Sequence, residues 1–358
     1  MTDFIMTTEQ KMFQKLAREF AEKEIAPSAR QYDIEGKLNL DAYKKAVDLK
    51  LHLVGWPKEY GGVGLNMITQ CIIAEELFKA DAGFGHAWSS TIVVPALVIQ
   101  SGTEEQKKYV ADVLLSGGLV GYCFTDSFAG SDIAAITATA TKVGDEYVIN
   151  GVKNWVTNAP YADFHFVFAK TDPKLGGKGI SVFIVKKDEV GLSLGKIEEK
   201  MGARQSVQSD VIFNDVKVPA SAMVGGIAAE GKGFKMGMEV MNLARVLIGT
   251  GGLGVAQKAL ELSLEYAKER KTFGRPIWQY QAIQFMICDM EIQIQASRAL
   301  AYEAARLIDA GQTSPKICAC AKTMAGDTAV KVTADAVQVY SAVGYSRDYP
   351  VEKLMRDA

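Results

Sequence analysis

The chain has 358 residues, 48% of them hydrophobic and 23% charged, with a formal net charge of −2 at neutral pH. That balance furnishes a core for one large domain or for two to three ordinary ones. It gives no electrostatic ground for nucleic acid or an anionic membrane as a partner; nine prolines and no low-complexity tract argue against long disordered linkers.

The opening residues lack a basic stretch followed by an apolar one, so no secretory signal is expected. No apolar run of the roughly 18 residues needed to cross a bilayer is expected either. The chain therefore reads as soluble and cytoplasmic, in a bacterium rather than a mitochondrial matrix. Residues 1–120 read as an all-helical domain. Phe13, Leu16, Phe20 and Ile25 fall near one helical stripe. After the break Tyr60-Gly61-Gly62-Val63-Gly64, a helix is expected from Met67 to Lys79. Thr103-Glu104-Glu105-Gln106 has the form of a helix start leading to Val113.

Near Gly121 the period changes, and residues 121–225 read as a β-barrel or sandwich domain. Asn150-Gly151 sits between β-prone runs, which predicts a hairpin turn there. Phe164, Phe166 and Phe168 alternate, as do Ile180, Val182 and Ile184, with Val216 and Val218 before Pro219. Residues 226–358 then read as a bundle of long helices, Gly254–Arg270, Gln281–Ala310 and Pro315–Ala342, with Ile283, Ile287, Met290, Ile294 and Ala301 on one face.

Two glycine patterns in this part mimic nucleotide-binding motifs. Gly249-Thr-Gly251-Gly-Leu-Gly254 fits G-x-G-x-x-G, but no buried strand precedes it and no βαβ pattern follows, so close helix–helix approach is the better account. Gly226 to Gly233 nearly matches a P-loop, yet Gly233 stands where Ser or Thr would hold Mg²⁺, and a surface loop is expected. The five cysteines form no C-x-x-C pair and read as reduced, buried thiols; the three histidines lack ligand spacing, so no metal site is expected.

The most informative stretch runs from Tyr266 to Gln284. A polar helix ends at Arg270-Lys271, Gly274 and Pro276 punctuate a tight loop, and a second helix begins near Gln281. A guanidinium (Arg270), an aromatic face (Phe273) and an amide (Gln281) thus gather at one helix–helix corner, suited to a phosphorylated cofactor. Upstream, Tyr122-Cys-Phe124-Thr125-Asp126-Ser127-Phe-Ala-Gly130-Ser131-Asp132 offers hydroxyls and backbone amides, and Trp155-Val156-Thr157-Asn158 follows the Asn-Gly pair. These runs resemble, in order across nearly the whole chain, the motifs of the acyl-CoA dehydrogenases. The matching blocks include Glu59-Tyr60-Gly61-Gly62, Lys200-Met-Gly-Ala-Arg204-Gln-Ser206 and Ala336 to Ala358.

The resemblance implies a helical domain, a β domain and a four-helix bundle, an FAD cofactor, an acyl-CoA substrate and a homotetramer. By it, Tyr122, Phe124 and Thr125 contact the flavin, Gly130 and Ser131 also belong to the cofactor site, and Trp155, Val156 and Thr157 lie beside the ring. Ser131 and Arg245 would hold the CoA portion. Arg270, Thr272, Phe273, Gln281, Gln338 and Ala342 would grip FAD bound mainly to a neighbouring subunit. Two departures stand out: Asp126-Ser127 replaces the usual Glu-Pro, keeping the carboxylate but loosening the turn, and Ser341-Ala342 replaces two glycines. The reaction implied is α,β-dehydrogenation of the thioester, with electrons passed to an electron-transferring flavoprotein. No catalytic carboxylate is visible: Ala244 occupies the alternative position for the base, and the usual Glu is expected beyond Ala358. An acyl-CoA oxidase or flavin monooxygenase on the same scaffold, or an idle CoA-binding or assembly subunit, are the competing readings.

Overall fold

The protein is described from a computed structural model covering residues 6–358. Seven α-helices come first: α1 (Thr8–Phe20), α2 (Ala29–Glu35), α3 (Leu40–Asp48), α4 (Met67–Ala80), α5 (Ala82–Val93), α6 (Ala96–Ser101) and α7 (Glu104–Leu115). Local chemistry explains where they start. Thr7 and Thr103 each accept from the third backbone N–H while Gln10 and Gln106 reach back, forming capping boxes that contribute about 1 kcal/mol each. A π-helical turn, Ala21–Ile25, prolongs α1 and carries Ile25 into the core beside Phe20. The stretch Ala82–Ser101 corrects the expectation about apolar runs: its 20 residues are apolar enough to cross a bilayer, although 72% of the window is buried inside the protein. Scattered His, Ser and Thr disguise a segment that holds no charged residue. It packs on α4 and on the first strand of the sheet.

The strands are β1 (Leu119–Cys123), β2 (Thr139–Val143), β3 (Glu146–Thr157), β4 (Ala162–Lys170), β5 (Ile180–Lys186), β6 (Leu192–Ile197) and β7 (Gln208–Pro219). They form one mixed sheet of order β1-β4-β2-β3-β7-β6, with β5 added on β4. One face, with Phe164, Phe166 and Phe168, joins the helical core; the other buries Tyr147, Val167, Phe183 and Val216 in a core of its own. Asn150-Gly151 is no hairpin turn. It lies inside β3 at a bulge, and the β2–β3 reversal falls at Gly144-Asp145, where Gly144 has φ 62°. Gly151 is required for another reason: a Cβ there would lie 2.8 Å from Cα of Ala138.

The last part holds α8 (Gly233–Glu269), a two-residue ribbon of β8 (Lys271–Thr272) and β9 (Arg275–Pro276), α9 (Gln281–Asp309), α10 (Pro315–Tyr340) and α11 (Val351–Asp357). The sequence reading starts the first of these helices at Gly254; in fact α8 is continuous for 37 residues, and the G-x-G-x-x-G pattern lies within it. Gly254 lets α8 meet α4, since a Cβ would lie 2.2 Å from the Glu75 carbonyl oxygen, and Gly251 seats the Phe78 ring. Cys71, Cys123 and Cys318 are buried as expected, but Cys288 and Cys320 are exposed, because they point outward from α9 and α10.

Candidate functional site

The residues singled out from the sequence fall in two groups, and α8 joins them. The first lies where β1 ends against the bulged part of β3. Tyr122 and Phe124 turn inward: their rings stack edge-on at 5.4 Å, both touch Phe168, and the Tyr122 hydroxyl donates to Gly237 O in α8 at 3.4 Å. Burial pushes the Tyr122 phenol well above its ordinary range, so it stays neutral. Thr125 emerges half-buried at the strand's end, and its carbonyl accepts from the Asn154 N–H at 3.0 Å. That bond sets Thr125 next to Trp155. The register of β3 against β7 slips between Lys153 and Val156, and Trp155 there takes φ 58° with its indole 54% exposed. A bulge that turns a large aromatic outward in a strained conformation is a feature of binding sites rather than of cores. Val156 is buried behind it, while the Thr157 hydroxyl accepts from Gln208 at 3.0 Å and keeps its own proton free to donate.

Gly130 and Ser131 are exposed on the adjoining loop, and a Cβ on Gly130 would meet nothing within 4 Å. The Asp126-Ser127 step of this loop is closed by hydrogen bonds. Asp126 and Ala129 exchange backbone hydrogen bonds, and Ser127 donates to Asn154 at 2.8 Å. Arg245, half-buried in α8, donates to Asn242 at 2.8 Å, and Ala244 beside it brings no carboxylate.

The second group is the corner after α8. Phe273 (φ 48°) and Gly274 (φ 80°) form a two-residue turn between β8 and β9, as a tight ribbon requires. Phe273 is 97% exposed, and Arg270 and Gln281 are exposed beside it. Thr272 is fixed through its carbonyl by the Tyr280 hydroxyl at 2.7 Å. Gln338 and Ala342, exposed at the end of α10, are tied to this corner because Tyr266 and Tyr340 stack at 4.0 Å. Between Gly237, touching the first group, and Arg270 run about 33 residues of helix, roughly 50 Å at 1.5 Å per residue. The corner lies far beyond reach of its own protomer's Trp155.

Sequence reasoning missed several buried polar clamps, of which the Lys153–Asp126 pair lies at the first group. Lys153, fully buried, pairs with Asp126. Glu75 is held by Arg298 at 3.0 Å and by the Tyr302 hydroxyl at 2.8 Å, which engages it structurally. Arg204, within the Lys200–Ser206 motif, donates to Asp33 O at 2.6 Å, while Asp357 accepts from the Ala203 N–H at 2.8 Å. Burial and the nearby Arg204 pull the Lys200 ammonium down to about 8. Three cavities of 430, 320 and 610 Å³ lie elsewhere, and none is lined by Thr125, Trp155 or Arg270. Trp155 of the first group and Phe273 of the second stand exposed on the single chain.

An exposed indole, two threonine hydroxyls and an uncrowded glycine loop on a β domain between two helical ones are the parts of a flavoenzyme, and they fit the edge and phosphates of a flavin nucleotide. Comparison with known proteins agrees over nearly the whole length. Residues 7–118 match the acyl-CoA dehydrogenase N-terminal domain, 121–216 the middle domain and 231–358 the C-terminal domain. The chain belongs to the acyl-CoA dehydrogenase family, and is thus an FAD-binding oxidoreductase acting on acyl-CoA compounds. It is 40% identical to acryloyl-CoA reductase (NADH) of Anaerotignum propionicum, covering 99% of this chain and 90% of that one. Butyryl-CoA dehydrogenase from Megasphaera elsdenii superposes with a TM-score of 0.96 at 37% identity, covering 99% and 94%. A chain from the structure of the electron transferring flavoprotein of Acidaminococcus fermentans, directed towards a mechanism of flavin-based electron bifurcation, also gives 0.96, at 39% identity and 99% and 93% coverage.

Proposed function

We propose that the protein removes two hydrogens from Cα and Cβ of a short acyl-CoA thioester and delivers the electrons to an electron-transferring flavoprotein. Bound FAD would take the hydride from Cβ, and the α-proton requires a carboxylate base, which neither Ala244 nor the other residues described for this site supply. In this reading Thr125 and Thr157 donate to the flavin edge, Trp155 covers the ring system and the amides around Gly130 face the phosphates. Ser131 and Arg245 hold the CoA portion. Arg270, Thr272, Phe273, Gln281, Gln338 and Ala342 clasp the cofactor of a second subunit, so the working form is a homo-oligomer, a tetramer as is usual in this family. The enzyme works in the cytoplasm.

The observation that carries this reading is the roughly 50 Å of α8 between the two half-sites. A second copy brings a corner to each set of strands, and the apolar Phe273, Phe285, Ile292 and Val330, more than half exposed on one protomer, are the surface such a copy would cover. Likeness to an acryloyl-CoA reductase supports a second direction, reduction of the 2-enoyl thioester by the same site.

Purified protein titrated without oxygen against acyl-CoA thioesters of increasing length tests both. Loss of the flavin absorbance with a short saturated thioester is the expected result; recovery of the band when the enoyl thioester is added to reduced protein would identify the reverse direction. Material that stays colourless after reconstitution with FAD would sink the proposal.

A further inference from the structure

We infer that Lys153 is a positioning residue of the flavin site, acting through Asp126 to lock the Thr125–Ser131 loop against the strand that bears Trp155. The inference rests on the site reading above and extends it to a residue that faces neither cofactor nor substrate. Lys153 is fully buried and Asp126 is 3% exposed. The ammonium reaches Asp126 Oδ1 at 2.5 Å and the Phe124 carbonyl at 3.2 Å. The other carboxylate oxygen accepts from the Thr137 N–H, from the Thr137 hydroxyl at 3.0 Å and from the Ala138 N–H at 2.9 Å. Every one of those groups donates, so Asp126 serves as a carboxylate and the pair is ionised.

The geometry gives this pair a specific task. Thr125 lies between Phe124, whose carbonyl binds Lys153, and Asp126, whose carboxylate does the same. Asp126 and Lys153 are also paired as a β-bridge. Two residues beyond Lys153, the strand turns Trp155 outward. One side chain therefore fixes the hydroxyl on one wall of the site relative to the indole on the other. An unpaired charge in either place would be costly in this dry setting, and a shift of about 1 Å in such a wall is enough to weaken binding and turnover strongly.

The test uses full-length holoenzyme. Lys153→Met and Asp126→Ala are expected to weaken FAD binding at least about tenfold, to alter the shape of the bound-flavin visible band and to lower kcat more than they raise KM. Asp126→Glu keeps the carboxylate and is expected to hold FAD within about threefold of wild type. Folded Lys153→Met protein with unchanged FAD affinity and an unchanged visible band would overturn the inference, since a merely structural pair would lower stability and leave the spectrum alone. Where Lys153→Met gives no folded protein, Asp126→Asn decides: it keeps one accepting oxygen, removes the charge and sets an amide NH2 against a donating neighbour, and an unaltered flavin band there overturns the inference too. Wild-type protein that binds no FAD would instead overturn the site reading itself.

Discussion

Ser341 sits at φ 60°, ψ −144°, a conformation that glycine enters freely and other residues enter under strain. The strain costs roughly 1–3 kcal/mol, and glycine gives back part of that through its freer unfolded chain. Ser341→Gly is therefore expected to stabilise the fold by about 1 kcal/mol, read as a higher urea midpoint with unchanged slope; a lower midpoint would refute it. His165 is the opposite case, a group the fold keeps from ionising. It is 1% exposed, its Nδ1 has no hydrogen-bond partner, and burial pushes it down to about 4. Above its ordinary value of 6.5 both folded and unfolded chains hold the ring neutral. Between 6.5 and about 4 only the unfolded chain takes the proton, so stability falls with acid across that window and levels off below it. At pH 4.5 the loss from this residue is about 2.5 kcal/mol. Urea unfolding at pH 7 and 4.5 should give a smaller acid loss in His165→Gln than in wild type; equal losses would rule the account out. Single residues were also where the sequence was least legible. Thr125, Trp155 and Arg270 stand in recognisable runs, whereas the partner of Asp126 is 27 positions away and is brought there only by the β3 register.

The helices were legible wherever a cap or a stripe made them local. Thr103 with Gln106 announces α7, and the apolar positions from Ile283 to Ala301 announce α9. Legibility failed where tertiary contact overrules a local signal. Asn150-Gly151 has turn chemistry, yet β7 pairs along both flanks and the Ala138 backbone presses on Gly151, so the pair becomes a bulge. The glycines of α8 were legible as a surface for close helix approach, but not as the interior of one continuous helix, whose start the local pattern puts at Gly254. That contrast has a measurable consequence. Gly254→Ala forces α8 away from Glu75 O and is expected to destabilise by about 2 kcal/mol. Gly252→Ala, whose new methyl would meet Ala329 at an ordinary 3.7 Å, gains helix propensity and should stabilise by about 0.5–1 kcal/mol. Thermal unfolding of both variants checks the pair; losses of similar size would mean that close approach to α4 is not what Gly254 supplies.

At the scale of the whole molecule, the separation of the two residue groups along α8 would, on the proposed reading, make cofactor retention a property of the assembly. If the Arg270 corner acts on a neighbour, FAD binding and association stabilise each other by mass action, and dilution should release flavin. Arg270→Ala removes a guanidinium from an exposed corner whose backbone is set by the Ile277 N–H donating to Arg270 O at 2.8 Å, so the protomer fold should be unaffected. Loss of one charge-assisted contact to a phosphate corresponds to about 2 kcal/mol, or about thirtyfold in affinity. The measurement is flavin fluorescence against protein concentration, run beside sedimentation of the same samples. Wild type should free its flavin over the range where it dissociates into 38.8 kDa chains, and Arg270→Ala should do so at higher concentration. A variant that retains FAD as well as wild type, or a wild type that sediments as a single chain with its flavin bound, would mean that the corner serves some purpose other than holding a neighbour's cofactor.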